Sequence, residues 1–174
     1  PYCYPGTTVL RNRANIRDQA ELDAFEHDAA QQRVSEPMPH GRLSIRHYCA
    51  IHRHLFQDVY RWAGRFRTVR ISKGGSMFCY PENIPAEMAK LFRNLREEGH
   101  FRGLDRRAFA GKAAHFIAEL NAIHPFREGN GRTQLAFLTL LAERAGHELD
   151  LDRMQPQAML AAVKEIAEAS QNSY

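Results

Sequence analysis

Apolar residues recur at helical spacing along most of the chain, and Pro and Gly residues divide the pattern into segments. Tyr48, Ile51 and Leu55, for example, form one stripe at spacings of three and four. The pattern predicts a surface helix from Arg17 to Val34, a second helix capped by Ser44 and a third that stops at Gly99. Three more helices are predicted: one capped by Asp105 and ending near Ile123, one from about Gly131 to Ala145, and a last one over Pro156 to Ala169.

One short region favours β structure. Thr68 to Ile71 is partly β-branched and predicts a strand, Gly74-Gly75 predicts a turn, and Met77 to Tyr80 predicts the returning arm of a hairpin. The sequence therefore indicates an all-α fold with one small β-hairpin. We expect residues 1–174 to form a single domain, since no linker or repeat interrupts the pattern.

Composition excludes several classes of protein. The chain has 174 residues, 44% apolar and 25% charged, which is typical of a globular protein. Its net charge of +4 is small and no basic-aromatic stripe accompanies it, so direct nucleic-acid binding is not expected. Three unpaired cysteines suggest a reducing compartment. No stretch approaches the roughly 20 apolar residues of a membrane-spanning helix.

The segment His124-Pro125-Phe126-Arg127-Glu128-Gly129-Asn130-Gly131-Arg132 concentrates reactive side chains between two strongly apolar helices. Gly129 and Gly131 permit backbone geometries closed to other residues, so that successive N–H groups can converge on an anion at the start of the following helix. Arg132 can add a bidentate guanidinium contact, and Asn130 a hydrogen bond from its side-chain amide. This part of the segment predicts a phosphate-binding loop.

Two further residues complete a site for transfer chemistry. Glu128 supplies the kind of oxygen ligand that Mg²⁺ takes when it also bridges substrate phosphates. His124, held at a helix end by Pro125, is a suitable general base, and we expect its pKa to lie near neutrality. An anion-binding loop, a metal carboxylate, a charge clamp and a base together indicate in-line attack on a nucleotide phosphate.

The run from His124 to Arg132 resembles the motif of the Fic family, HxFx[DE]GNGRxxR, and the Trp-Ala-Gly at 62–64 is also similar. The resemblance implies a protein adenylyltransferase that moves AMP from Mg²⁺-ATP to a Ser, Thr or Tyr hydroxyl. It implies that His124 is the base, that Glu128 binds Mg²⁺ and that Gly129, Asn130, Gly131 and Arg132 bind the nucleotide. It also implies that the hairpin with Lys73, Gly74 and Phe78 is a flap on which the target protein docks.

One position departs from the family pattern, because Leu135 stands where the motif has its second arginine. In the family this arginine orients the γ-phosphate, so its loss leaves two alternatives open. One is a packing variant in which Arg132 alone suffices, and the other is a domain with weakened catalysis that binds nucleotide or a partner protein. Transfer of another nucleotide or of a phosphate, as in the related Doc proteins, is a further alternative, although those carry Lys where this chain has Gly131.

Regulation is expected to come from outside the described motif. Family members are restrained by a helix with the pattern [S/T]xxxE[G/N], and this chain contains no such pattern. The resemblance therefore implies either a separate inhibitory, antitoxin-like protein as a partner or an inhibitory helix in sequence outside residues 1–174. It also implies a bacterial cytoplasmic location, or delivery into a host cell if the chain is part of a secreted effector.

Overall fold

The computed structural model describes residues 1–149, with Ser76 described for its backbone alone. This part of the chain contains five α-helices and one two-stranded antiparallel sheet. The helices are α1 (Gln19–Val34), α2 (Ile45–Phe56), α3 (Ile84–Glu97), α4 (Arg106–Ile123) and α5 (Asn130–Ala145). The strands, β1 (Ser72–Lys73) and β2 (Ser76–Met77), lie between α2 and α3. The fold expected from the sequence, all-α with one small hairpin, is confirmed. The predicted last helix, Pro156 to Ala169, lies outside the described residues.

The described chain divides into two compact units, residues 1–42 with 46–65 and residues 43–45 with 66–149. In the first unit, Asp18 caps α1 by accepting a hydrogen bond from the N–H of Glu21. At the other end of α1, Arg33 forms a bidentate ion pair with Asp58, with N···O distances of 2.6 and 2.8 Å. The expectation of a single domain over 1–174 stays a prediction.

The second unit contains the helices on either side of the motif segment. Phe92 of α3, Phe116 of α4 and Phe137 of α5 meet with ring centroids 5.5 to 5.8 Å apart. All three rings are buried, so this cluster fixes the packing of the three helices. Asp105 caps α4 as predicted, accepting a hydrogen bond from the N–H of Ala108 at 2.9 Å.

The paired part of the hairpin is shorter than predicted and lies closer to the turn, so that of the predicted returning arm, Met77 to Tyr80, only Met77 belongs to a strand. Thr68 to Ile71 do not form a strand, and the pairing is limited to Ser72 with Met77 and Lys73 with Ser76. Gly74 and Gly75 have φ of 59° and 81°, which suits the two central positions of a tight hairpin turn and confirms the predicted turn. The prediction of the first strand was wrong: the N–H of Cys79 donates to Ala122 and its carbonyl accepts from Arg67, so this part of the returning arm bonds outside the hairpin.

No helix among the described residues is long and apolar enough to cross a membrane.

Candidate active site

The motif segment connects the end of α4 to the start of α5. His124 stands at the C-cap of α4 in the left-handed region, with φ 49° and ψ 63°, and its N–H still bonds to the carbonyl of Leu120 at 3.0 Å. A residue with a Cβ adopts this backbone at a cost of roughly 1–2 kcal/mol. The following Pro125 disfavours a helical conformation at His124, so the sequence itself ends the helix at this residue.

The imidazole of His124 lies against the flap. Its ring stacks on that of Phe78, with centroids 3.8 Å apart and planes 13° from parallel. Burial lowers the pKa of His124 to about 4, and the positive charges of Arg67 and, more weakly, Lys73 act in the same direction, whereas the backbone of Asn121 acts against them. The near-neutral pKa expected from the sequence is therefore wrong, because the buried ring stays unprotonated well below pH 7. The neutral ring is the state from which a general base accepts a proton.

Side-chain hydrogen bonds hold the loop after His124 in place. Asn130 is 2% exposed, and its side chain accepts from the N–H of Phe126 at 2.9 Å and donates to the carbonyl of Phe126 at 2.7 Å. Thr133 is fully buried and donates from Oγ1 to the carbonyl of Gly129 at 2.8 Å. The predicted contact of Asn130 with a phosphate therefore falls to its backbone N–H, and that contact stays a prediction.

The start of α5 leaves open space into which a ligand can approach. Gly129, the N-cap, has φ of 80°, a left-handed value that favours glycine. Gly131 has no such requirement, and a Cβ added to it would meet no atom within 4 Å. Contrary to the sequence argument, Gly131 is distinguished by the open space beside the helix terminus and not by its backbone conformation. The first N–H groups of an α-helix have no intrahelical acceptor, so this open space adjoins backbone donors of the kind that bind anions, and their contact with phosphate stays a prediction.

Glu128 is exposed and lies directly before this terminus, and its Oε1 accepts a hydrogen bond from the N–H of Gly129 at 2.9 Å. Among the described residues, no group of three or more His, Cys, Asp and Glu side chains could hold a metal ion by itself. A lone carboxylate beside a phosphate site suits Mg²⁺, which binds through one or two carboxylates together with substrate phosphates and water. Arg132, in the first turn of α5, is half-buried.

The flap stands over the end of α4. The N–H of Cys79 donates to the carbonyl of Ala122 at 3.2 Å, and Phe78 reaches His124, so the returning arm of the hairpin is attached to the helix. Lys73 and Gly74 at the tip are exposed, as is Met77 with 60% of its surface accessible. The three predicted flap residues thus divide into two that face solvent and one that contacts the candidate base.

Sequence reasoning missed Arg67. This residue is 2% exposed, and its guanidinium donates to backbone carbonyls of both the flap and the end of α4. An isolated arginine in a basic chain is normally on the surface, and no local pattern marks this one. Its partner His124 is 57 positions away in the sequence.

Leu135 is half-buried and lies three positions after Arg132 on the same face of α5. The side chain that replaces the motif's second arginine is therefore not part of the fully buried core.

The structure brings His124, Phe78 and Arg67 into contact and places Glu128 at the start of α5.

A family model described as Fic/DOC family matches residues 42–142, more than half of the chain. A curated protein of Sinorhizobium fredii, named probable protein adenylyltransferase y4lH, is 55% identical over 94% of this chain and 85% of its own length. This chain belongs to the Fic/DOC family. The family expected from the motif is therefore confirmed.

Other members of the family are similar over most of this chain. The protein adenylyltransferase VbhT of Bartonella schoenbuchensis is 41% identical over 93% of this chain, which corresponds to 34% of that longer protein. The crystal structure of the N-terminal Fic domain of Bep8, a VirB-translocated effector of Bartonella sp. 1-1C, matches with a TM-score of 0.85 at 27% identity, covering 93% of this chain and 83% of that one.

A nucleotide-bound structure is also among the similar folds. BepC of Bartonella tribocorum, a VirB-translocated effector crystallised with AMPPNP, has a TM-score of 0.83 at 27% identity and covers 94% of this chain and 87% of its own. The relatives are thus named for the activity that the motif predicted. One of the similar structures contains AMPPNP, a nucleotide analogue of the kind of ligand that the motif predicted.

Proposed function

We propose that this chain is a protein adenylyltransferase that moves AMP from ATP to a Ser, Thr or Tyr hydroxyl of a target protein and releases pyrophosphate. The observation that carries the proposal is the neutral imidazole of His124 at the end of α4, followed within a few residues by the open N-terminus of α5. Named adenylyltransferases that are 55% and 41% identical support the same activity.

His124 acts as the general base. Nδ1 is the buried nitrogen of the ring, which leaves Nε2 to exchange protons with substrate. The neutral ring takes the proton from the target hydroxyl while that oxygen attacks the α-phosphorus of ATP. The bond from the α-phosphorus to the bridging oxygen of pyrophosphate breaks, so that the products are the AMP ester of the protein, pyrophosphate and a protonated His124.

The first turn of α5 binds the phosphates. The backbone N–H groups of Gly129, Asn130 and Gly131 and the guanidinium of Arg132 are the proposed donors. The absence of a Cβ at Gly131 leaves room for phosphate oxygens beside the helix. A buried Asn130 side chain supports this role indirectly, because it holds the loop in the shape that presents these donors.

Glu128 is the proposed carboxylate ligand of Mg²⁺. Mg²⁺ held by this carboxylate would supply positive charge against the phosphates. Glu128 is exposed and adjoins the start of α5, where its Oε1 accepts a hydrogen bond from the N–H of Gly129. This assignment predicts that removal of the Glu128 carboxylate abolishes the dependence of the activity on Mg²⁺ together with most of the activity.

The flap aligns the target. Lys73 and Gly74 at its exposed tip present backbone groups to an extended segment of the partner, in the manner of strand addition, and Phe78 connects the flap to the base. A separate inhibitory protein, and a location in the bacterial cytoplasm or in a host cell, belong to the same proposal and rest on the family resemblance. We further propose that residues 1–174 act as a single Fic domain.

Leu135 favours a second candidate function. With a half-buried leucine in place of the family's second arginine, the domain has one guanidinium fewer for the distal phosphates. It would then bind nucleotide or a partner protein with weak turnover. Binding of AMPPNP at wild-type affinity in the absence of any AMP transfer would favour this alternative.

Labelling experiments test the proposal. Purified chain, Mg²⁺ and ATP labelled at the α-phosphate are mixed with a bacterial lysate, and the same reaction is run with γ-labelled ATP. Label is expected on protein only from the α position, and His124→Ala is expected to abolish it. The matched control is His115→Ala, an exposed histidine on the same helix, which should label normally. Label from the γ position would instead indicate phosphate transfer.

A further inference from the structure

Arg67 binds four backbone carbonyls with one buried guanidinium. Its Nε donates to His124 at 2.8 Å, and one terminal nitrogen donates to Val69 at 2.7 Å. The other terminal nitrogen donates to Cys79 at 2.6 Å and to Ile123 at 3.2 Å. Every nitrogen of the group is therefore used, and the side chain is 2% exposed.

The four acceptors belong to two different parts of the site. Ile123 is the last residue of α4 and His124 is its C-cap, so their carbonyls are among those that a helix leaves without intrahelical donors. These carbonyls also carry the partial negative charge of the helix terminus, which favours a cation there. Val69 and Cys79 stand on the two arms that lead into and out of the hairpin.

The backbone supports the same connection. The N–H of Arg67 donates to the carbonyl of Pro125 at 2.8 Å, and the N–H of Cys79 donates to Ala122 at 3.2 Å. With these bonds, both arms of the flap are attached through Arg67 and Cys79 to the helix end that presents His124. The β1–β2 ladder itself has only two residue pairs, so it contributes little to holding the flap in place.

We infer that Arg67 is a positioning residue of the transfer reaction, which holds the flap at a fixed distance and angle from the ring of His124 so that a docked target hydroxyl meets the base. The inference rests on the proposed function. An arginine is required because its planar fork offers five donors in fixed directions, whereas a lysine offers three from a single nitrogen. Placement errors of about 1 Å at a reacting centre cost on the order of 100-fold in rate.

The test compares Arg67→Met and Arg67→Lys with the control Arg65→Met, whose exposed side chain is two positions earlier. For each variant, AMP transfer to lysate proteins is measured as an initial rate, and the dissociation constant of AMPPNP is measured by calorimetry. Arg67→Met is expected to lower the transfer rate at least about tenfold and Arg67→Lys to lower it by less. Affinity for AMPPNP should change less than about twofold, because the four carbonyls that the Arg67 guanidinium binds lie on the flap arms and at the end of α4.

Two readouts do not depend on activity. Hydrogen exchange of residues 68–80 is expected to speed up in Arg67→Met while exchange in the core of α3 remains unchanged. In an NMR titration, the pKa of His124 is expected to rise in Arg67→Met and to stay low in Arg67→Lys, since Arg67 is one of the positive charges that lower it. If the wild-type chain transfers no AMP, the proposed function fails and these two readouts still judge the attachment of the flap.

Wild-type transfer rates and wild-type exchange over residues 68–80 in both Arg67 variants would overturn the inference. An equal loss of transfer and of AMPPNP affinity would overturn it as well, because Arg67 would then stabilise the whole domain and not the flap. If Arg67→Met does not fold, Arg67→Lys decides the question by the same measurements. If neither variant folds, Arg67 is required for the fold and the positioning role is rejected.

Discussion

The loop between His124 and α5 should depend on two buried hydrogen bonds of one side chain. Asn130→Ala removes the acceptor for the N–H of Phe126 and the donor for its carbonyl, bonds of 2.9 and 2.7 Å in a fully buried site. A buried polar group left without a partner costs about 1–3 kcal/mol. With two such groups, we expect the free energy of unfolding to fall by roughly 2–6 kcal/mol, a large fraction of the 5–15 kcal/mol that is typical of a domain.

The measurement is urea denaturation followed by circular dichroism, with the free energy of unfolding extrapolated to water. Asn130→Asp serves as an isosteric variant, since it keeps the side-chain volume but places a carboxylate oxygen against the carbonyl of Phe126. It should be at least as destabilising as Asn130→Ala if the hydrogen bonds matter and nearly neutral if only the volume matters. Asn94→Ala, at an exposed position of α3, is the control and should lie within about 0.5 kcal/mol of wild type. Asn130→Ala at the same stability as that control would refute the argument.

Three further predictions concern pH and the nucleotide site. Folding lowers the pKa of His124 from 6.5 to about 4. As the pH falls, the unfolded chain therefore binds a proton at His124 at a higher pH than the folded chain does. The wild-type chain should lose roughly 3 kcal/mol more stability than His124→Asn between pH 7 and pH 4, as measured by urea titrations at each pH. Gly131→Ala should weaken AMPPNP binding at least about tenfold in calorimetry by filling the open space, yet raise the melting temperature, since Ala is the better helix former by up to about 1 kcal/mol. Leu135→Arg should increase the affinity for ATP more than that for AMP, since a second guanidinium on the face of Arg132 reaches only distal phosphates; equal gains for the two nucleotides would contradict this placement.

Several features of this protein follow from local sequence alone. Helical spacing of apolar residues and capping by Asp18 and Asp105 determine where α1 and α4 begin, because a cap acts over only three residues. Pro125 ends α4 at His124 for an equally local reason. The Gly74-Gly75 turn was also predictable, since both residues need positive φ.

Other features depend on residues that are distant in the sequence, and only the tertiary structure determined them. The strand expected at Thr68 to Ile71 does not form, and Cys79 of the expected returning arm bonds instead to Ala122 and to the guanidinium of Arg67. Asn130 looked like a phosphate ligand, but it turns inward to Phe126 once α4 and α5 pack. Arg67 has no local signature, because its role depends on carbonyls as far as 57 positions away that meet it only after folding. Local backbone preferences therefore set the elements, whereas long-range hydrogen bonds decide how the base, the loop and the flap meet.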